Sequence, residues 1–308
     1  MSYTPPQSTE IAEAQNSDAN LRLLLAQRRL YSRAKVWSMV RGIGVGIVAI
    51  AAPVLTAVVP EAAIIIAAVA AGWFALNRLL FSFLERYFAA RGATAQEQFD
   101  TSIFGMPTIA VRSPRLMPEE IRRLTGDRIR RKKAYSDESL KNWYPIRTDV
   151  DGTVAIAISQ RANLAYSQTL LSRNAALWLA LLIAWAVVAV FIGLANSFDL
   201  LAFLLVVALP TLPPLLDAVD EALRVRAAGK ERRAMADQIQ DAITTASDEP
   251  IQPEQLLAWQ AQLFALRRDS PLVPDWLYWL IRPRTEDEMT DGARAIANEV
   301  RARKDQER

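Results

Sequence analysis

The residues best suited to chemistry in this sequence are charged and unevenly spread. A cationic run holds Arg128, Arg130, Arg131, Lys132 and Lys133 within six positions. Such a cluster attracts phosphate-rich ligands, anionic lipid or nucleic acid, and it equally fits a solvated helix face beside an anionic leaflet. The carboxylates with most scope are Asp100, Asp149 and Asp151, but their spacing forms neither an acid–base pair nor a ligand set. The chain contains no Cys and no His. Disulfides, a thiol nucleophile, a His general base and every zinc or haem site built on Cys or His are therefore excluded. An all-oxygen magnesium or calcium site stays open on composition, yet no Gly-rich phosphate loop is present. No cofactor, no metal and no catalytic residue are expected.

The elements that must position these groups are dominated by apolar blocks. Of 308 residues, 52% are hydrophobic and 22% charged, with a net charge of +3. Four blocks approach the roughly 20 apolar residues that cross a bilayer: 42–60, 62–84, 174–196 and 200–216. The stretch from 174 to 198 has 25 residues without a charge and no polar face, unlike a soluble amphipathic helix. Gly42 and Gly46 lie four apart on one face of the first block, suited to close helix packing in lipid. Pro210, Pro213 and Pro214 interrupt the fourth; they remove backbone donors and kink it, as a structural bend or a gate. Asp217 follows at its end, as a charged ring in an oligomer or a membrane-boundary residue. No ionisable group lies mid-block, which argues against a pump or secondary transporter.

These features predict a mainly α-helical integral membrane protein with four transmembrane helices in two hairpins. The turns inside the hairpins carry Glu61 and Asp199 and no Lys or Arg. Residues 1–41 carry six basic residues, and 86–173 carry 15 basic against 9 acidic. The positive-inside rule then places both termini and the central region in the cytoplasm of a bacterial inner membrane. The polar N-terminus does not read as a cleaved signal peptide. Expected divisions are a disordered 1–20, an amphipathic helix at 21–41, a small α or α+β cytosolic domain at 85–173, and a helical cytosolic region at 217–308. Within the central domain one helix is expected from Pro118 through the basic run, and a short strand at 154–158. Trp276, Leu277, Trp279 and Leu280 are expected to bury against the cytosolic domain or a neighbouring subunit, or to sit at headgroup level.

Four short motifs carry a resemblance: LRLLLAQRRLYSRAK from residue 21, FDTSIFGMP from 99, NWYPI from 142 and SQRANLAYSQTLLSR from 159. In this order around two hairpins, the chain resembles the four-transmembrane pore-forming effector family found beside cyclic-oligonucleotide-synthesising enzymes in phage-defence operons. The resemblance covers residues 21 to about 216. Its characteristic polar positions fall on Gln27, Arg28, Tyr31, Asp100, Phe104, Trp143, Tyr144, Pro145, Gln160, Arg161 and Asn163. The family often has a Cys before the Gln-Arg pair, where this chain has Ser159.

The resemblance implies activation by a cyclic-nucleotide second messenger, membrane disruption by a homo-oligomer, and growth arrest or death of the host cell. No direct DNA or RNA role is expected. Arg28, Arg161 and the 128–133 run are the candidates for phosphate contacts, with Gln160 beside them. Trp143 or Tyr144 is the candidate for stacking on a base. Asp100, Gln160, Arg161 and Asn163 equally suit a hydrogen-bonded network that fixes the cytosolic domain to the spans. Two rival readings are a membrane scaffold or sensor signalling through protein contacts, and a membrane enzyme using Asp100, Asp149 and Asp151.

Overall fold

The computed structural model describes residues 3–107, 114–246 and 249–306, with the backbone alone at 206, 210, 213, 214 and most positions from 45 to 60. Among the described residues all regular structure is helical. Two long helices organise it. α2 follows the short α1 (Ser8–Ala14) and runs from Asp18 to Val58; at 1.5 Å per residue that is about 60 Å. α7 runs from Gly152 to Ala195. Each start is fixed by a cap: Ser17 Oγ accepts from Asn20 N, and Asp151 accepts from Thr153 N. α2 turns through Pro60–Ala62 into α3 (Ala63–Leu76), and a π turn at Asn77–Phe81 leads on to α4 (Ser82–Ile103). Likewise α7 turns at Asp199 into α8 (Leu200–Phe203), a second π turn at Leu204–Ala208, and α9 (Leu209–Thr244). The pairs α2–α4 and α7–α9 pack along their lengths. α5 (Pro118–Thr125) and α6 (Arg128–Asp137) lie against α2, α10 (Pro253–Arg268) against α4 and α7, and α11 (Asp275–Gln306) along α7.

Each long helix has two unlike parts. The polar parts of α2, α4, α7 and α9, with α10 and α11, enclose one core built on Leu24, Leu25, Phe99, Phe104, Leu140, Ile156, Leu164, Ile239, Leu256 and Leu263. This is the head. The apolar parts form a stem whose large side chains face outward, with Ile64 84% and Leu194 75% exposed. Each such side chain left in water forgoes about 1.5–3 kcal/mol of burial, and a contiguous apolar surface of this extent marks a lipid or protein contact. Among the described residues, two continuous helical stretches, Ile64–Ile103 (α3 through α4) and Gly152–Ala195 (α7), are long and apolar enough to cross a membrane.

Close approach within the stem falls on a glycine. A Cβ added to Gly44 would lie 1.8 Å from the Trp73 ring, whereas nothing lies within 4 Å of one added to Gly42. Gly46, Pro210, Pro213 and Pro214 are described by their backbone alone. The backbone stays helical through the three prolines. Just before them Leu209 N reaches back to Leu204 O in a π turn, the kind of adjustment that absorbs a missing proline donor. Asp217 is exposed.

Three expectations need correction. The N-terminal segment is ordered from residue 3: α1 buries Ile11, and Tyr3 donates to Phe104 O at 2.7 Å. Residues 154–158 belong to α7 and not to a strand; their apolar run is fully enclosed, which suits a buried helix as well as a strand. The expected single helix through the basic run is broken at Gly126 (φ +74°), and Asp127 then caps α6 by accepting from Arg130 N. For Trp276, Leu277, Trp279 and Leu280, burial within the chain holds for Leu277 alone, and Trp276, Trp279 and Leu280 are exposed.

Candidate functional site

The family-like polar residues converge where α4, α7 and α10 meet. Glu97 and Asp100 stand one turn apart on α4, Gln160 and Asn163 one turn apart on α7, and Gln260 and Arg267 two turns apart on α10. Asp100 is 0% exposed. Its Oδ2 accepts from Arg267 Nη1 at 2.5 Å and from Gln260 Nε2 at 3.0 Å, and its Oδ1 accepts from the Tyr144 hydroxyl at 2.8 Å. Arg267 also donates from Nε to Asn163 Oδ1 at 3.3 Å. Gln260 donates to Glu97 Oε2 at 2.7 Å, and Gln160 donates to Gln260 Oε1 at 3.1 Å and Leu256 O at 3.0 Å.

The turn that supplies Tyr144 is clamped from the N-terminus. Gln15 accepts from Tyr144 N at 2.9 Å and donates to Tyr144 O at 3.3 Å. Asn16 exchanges two bonds with Asn142, whose φ of +51° turns the chain there. Phe99 and Phe104 lie against the Tyr144 ring, with centroids at 6.1 and 5.7 Å. Burial, and then the Asp100 charge, push the Tyr144 hydroxyl well above its ordinary value. Burial opposes the Arg267 charge, but Asp100 and Tyr144 outweigh it and hold the guanidinium above its usual range. In this arrangement the carboxylate is fully committed, which makes the cluster a lock between helices. Asp149 pairs with Arg147, and Asp151 caps α7.

The candidates for phosphate and base contacts fall into three groups. Tyr144 and Gln160 are inside the lock, and Trp143 is half-buried at its edge. Arg28 lies in a second cluster: its guanidinium stacks over Tyr278 at 5.5 Å and Trp279 at 5.3 Å, and Nε is 3.5 Å from Glu138. On α6, Arg128, Arg130, Lys132 and Lys133 are exposed, while Arg131 is buried and donates to Gly126 O at 2.8 Å. A shallow depression lined by Glu119, Arg122, Arg123, Gly126 and Asp127 adjoins that run. Arg161 differs from the rest. It is half-buried between α7 and α9, its Nε has no hydrogen-bond partner among the described residues, and the charges acting on it are Asp237 and Arg233. Ser159, at the position where the resembled family often has Cys, is buried and donates to Ala155 O.

Sequence reasoning missed Arg267, Gln260, Glu97 and Gln15. The α10 pair left a signal. Leu256, Gln260, Leu263 and Arg267 occupy one face at helical spacing, so the two polar residues interrupt an apolar stripe. Buried polar residues in such a stripe need partners.

A helical head locked by a buried ion pair and carried on an outward-apolar stem defines a membrane-associated helical protein. A family model described as "SMODS-associating 4TM effector domain" matches residues 9–296, and the chain belongs to that family. It is similar to a "Probable CBASS effector molecule" of Bacillus cereus strain VD146, at 23% identity over 289 residues, covering 90% of this chain and 95% of that protein. No solved structure matches the chain. The family is described as one of effectors, and among the described residues no group of three or more Asp, Glu, His or Cys is arranged to hold a metal ion.

Proposed function

We propose that the protein is a ligand-gated, membrane-disrupting effector of bacterial anti-phage defence, activated by a cyclic-nucleotide second messenger and causing growth arrest or cell death. In this reading four helices cross the inner membrane in two hairpins, and the head and both termini face the cytoplasm. Several copies assemble, because four spans from one chain are too few to enclose a wide aqueous path.

The observation that carries the reading is the continuity of α2 and α7 from locked head to apolar stem. A helix that belongs to both regions passes any tilt or rotation of one to the other, which is what coupling between a binding event and a membrane event requires. The lock supplies the element with two arrangements. The ligand contacts are assigned to Arg161, whose Nε has no hydrogen-bond partner among the described residues, and to the exposed Arg128, Arg130, Lys132 and Lys133, with Trp143 at the edge. Phosphate groups would give these cations charge-assisted bonds that the resting protein lacks. The relative named as a CBASS effector supports the choice of a cyclic oligonucleotide as the messenger.

Co-expression with a cyclic-oligonucleotide synthase tests this in cells. Growth arrest accompanied by entry of a membrane-impermeant dye is the expected result. Normal growth with intact membranes, at confirmed expression of both proteins, would reject the reading.

A further inference from the structure

We infer that the first two turns of α11 form an interfacial anchor. Trp276, Trp279 and Leu280 lie in the headgroup–acyl boundary of the bilayer that holds the stem, and they set the height of the head above it. The inference rests on the reading that the apolar parts of α2 and α7 cross that bilayer.

The face is built and stays open: Arg28 and Arg282 lie over the Trp279 ring at 5.3 and 5.1 Å, yet all three side chains keep much of their surface uncovered. Trp276 is 58% exposed, Trp279 48% and Leu280 72%. Spacings of three and four place them on one side of the helix, while Leu277 is buried on the other. The helix cannot roll to bury them, because its inner side is bolted down. Lys35 donates to Asp275 Oδ1 at 2.5 Å, Arg28 donates to the Tyr278 hydroxyl at 3.1 Å, and Arg282 donates to Glu138 O at 3.0 Å. Three cations, Arg28, Lys35 and Arg282, also sit over the Tyr278 ring.

Its level along the molecule identifies what covers it. Asn174, the first residue of the 25-residue uncharged stretch, donates to Leu272 O at 3.5 Å. Lys35, which holds Asp275, precedes Gly42 by seven residues, about 10 Å of helix. Leu272 and Asp275 are thus tied to both long helices near their change from polar to apolar, and Tyr278 and Trp279 follow toward the head, beside Arg28. Further exposed apolar and aromatic side chains stand near this transition, Val36 and Met39 on α2 and Phe83 and Tyr87 on α4, and exposed Arg173 adjoins it on α7. Trp and Tyr concentrate at membrane interfaces because one end of each ring is apolar and the other binds water or headgroups. A basic neighbour such as Arg173 suits anionic lipid headgroups.

The absence of cysteine makes the test direct. Leu280→Cys, Leu181→Cys in the α7 stem and Ile129→Cys on α6 are each labelled with an environment-sensitive fluorophore in the full-length chain. They are reconstituted in phosphatidylcholine–phosphatidylglycerol liposomes. Quenching is read with lipids spin-labelled at shallow or deep acyl positions, and with aqueous iodide. The expected result is that shallow lipid quenches the Leu280 label about twofold more than deep lipid does, that deep lipid quenches the Leu181 label, and that iodide alone quenches the Ile129 label. A Leu280 label open to iodide and untouched by lipid, with Leu181 still quenched, overturns the anchor and leaves the spans intact. A Leu280 label shielded from both, with energy transfer that grows with protein density, assigns the face to a second copy and also overturns it. Failure of lipid to quench Leu181 overturns the spanning reading and the anchor together.

Discussion

Arg267 reaches Asp100 across 167 residues of sequence and closes at 2.5 Å on a carboxylate that has no solvent exposure. That contact joins the helix after the fourth apolar block to the helix after the second. Breaking one side leaves a buried charge without its partner, which costs about 3–5 kcal/mol. Asp100→Asn is therefore expected to lower stability by that order. Asp100→Leu combined with Arg267→Leu is expected to lose less, because no lone charge remains. Chemical unfolding of the detergent-solubilised protein, followed by tryptophan fluorescence, reads both. An Asp100→Asn variant within about 0.5 kcal/mol of the parent would show that the pair does not hold the head together.

Buried tyrosines give the head an alkaline limit. Burial pushes Tyr31 up to about 12, and burial with the Asp100 charge holds Tyr144 well above its ordinary value. The unfolded chain ionises both near pH 10, its reference value. Folded values above unfolded ones mean that their contribution is intact below about pH 10 and is lost as pH rises toward the folded values. Burial also raises Tyr3 and Tyr135, which act in the same sense, while Lys35, Arg161 and Arg232 act in the opposite sense, since burial lowers them, Arg232 to about 10. The expected outcome is a stability that falls between about pH 10 and 12, with tyrosinate absorbance appearing together with unfolding. Titration of all tyrosines at pH 10 in a still-folded protein would contradict this.

Packing in the stem separates two glycines that look alike in sequence. Gly44→Ala would drive a Cβ into the Trp73 ring, and Gly42→Ala meets open space. The first is expected to cost about 1–3 kcal/mol as overpacking, and the second to be neutral or slightly stabilising from better helix propensity. Unfolding midpoints of the two variants, compared in the same detergent, check the difference.

The apolar blocks were legible because a bilayer demands length and low charge, and both are counted directly from residues. The buried lock was legible only on one side. Asp100, Tyr144, Gln160 and Asn163 lie in motifs, whereas Arg267 and Gln260 come from α10, beyond the last of those motifs, and pairing across such distance has no local signature. The ordered N-terminus was missed for a related reason. Residues 3–20 look polar and mobile until Gln15 and Asn16 are seen to bind the 142–144 turn. The short helices α5 and α6 were merged because Gly126 costs a helix little in pattern, yet its positive φ ends one.

The proposed function places ligand recognition on Arg161 and the exposed cations of α6. Arg161→Gln is expected to weaken binding of the activating cyclic oligonucleotide by about tenfold to a hundredfold, the value of one or two charge-assisted bonds. The unfolding midpoint is expected to stay unchanged, since Arg161 Nε has no partner among the described residues to lose. Calorimetric titration and thermal unfolding read the two effects separately. A variant that binds as tightly as the parent would remove Arg161 from the site.

Dye release from liposomes carrying the purified full-length protein probes the coupling of head to membrane with nothing else present. Addition of a panel of cyclic di- and trinucleotides is expected to empty the vesicles with at least one of them, and linear counterparts are expected to leave them sealed. Vesicles that remain sealed with every messenger in the panel, although calorimetry shows that one of them binds, would contradict the account.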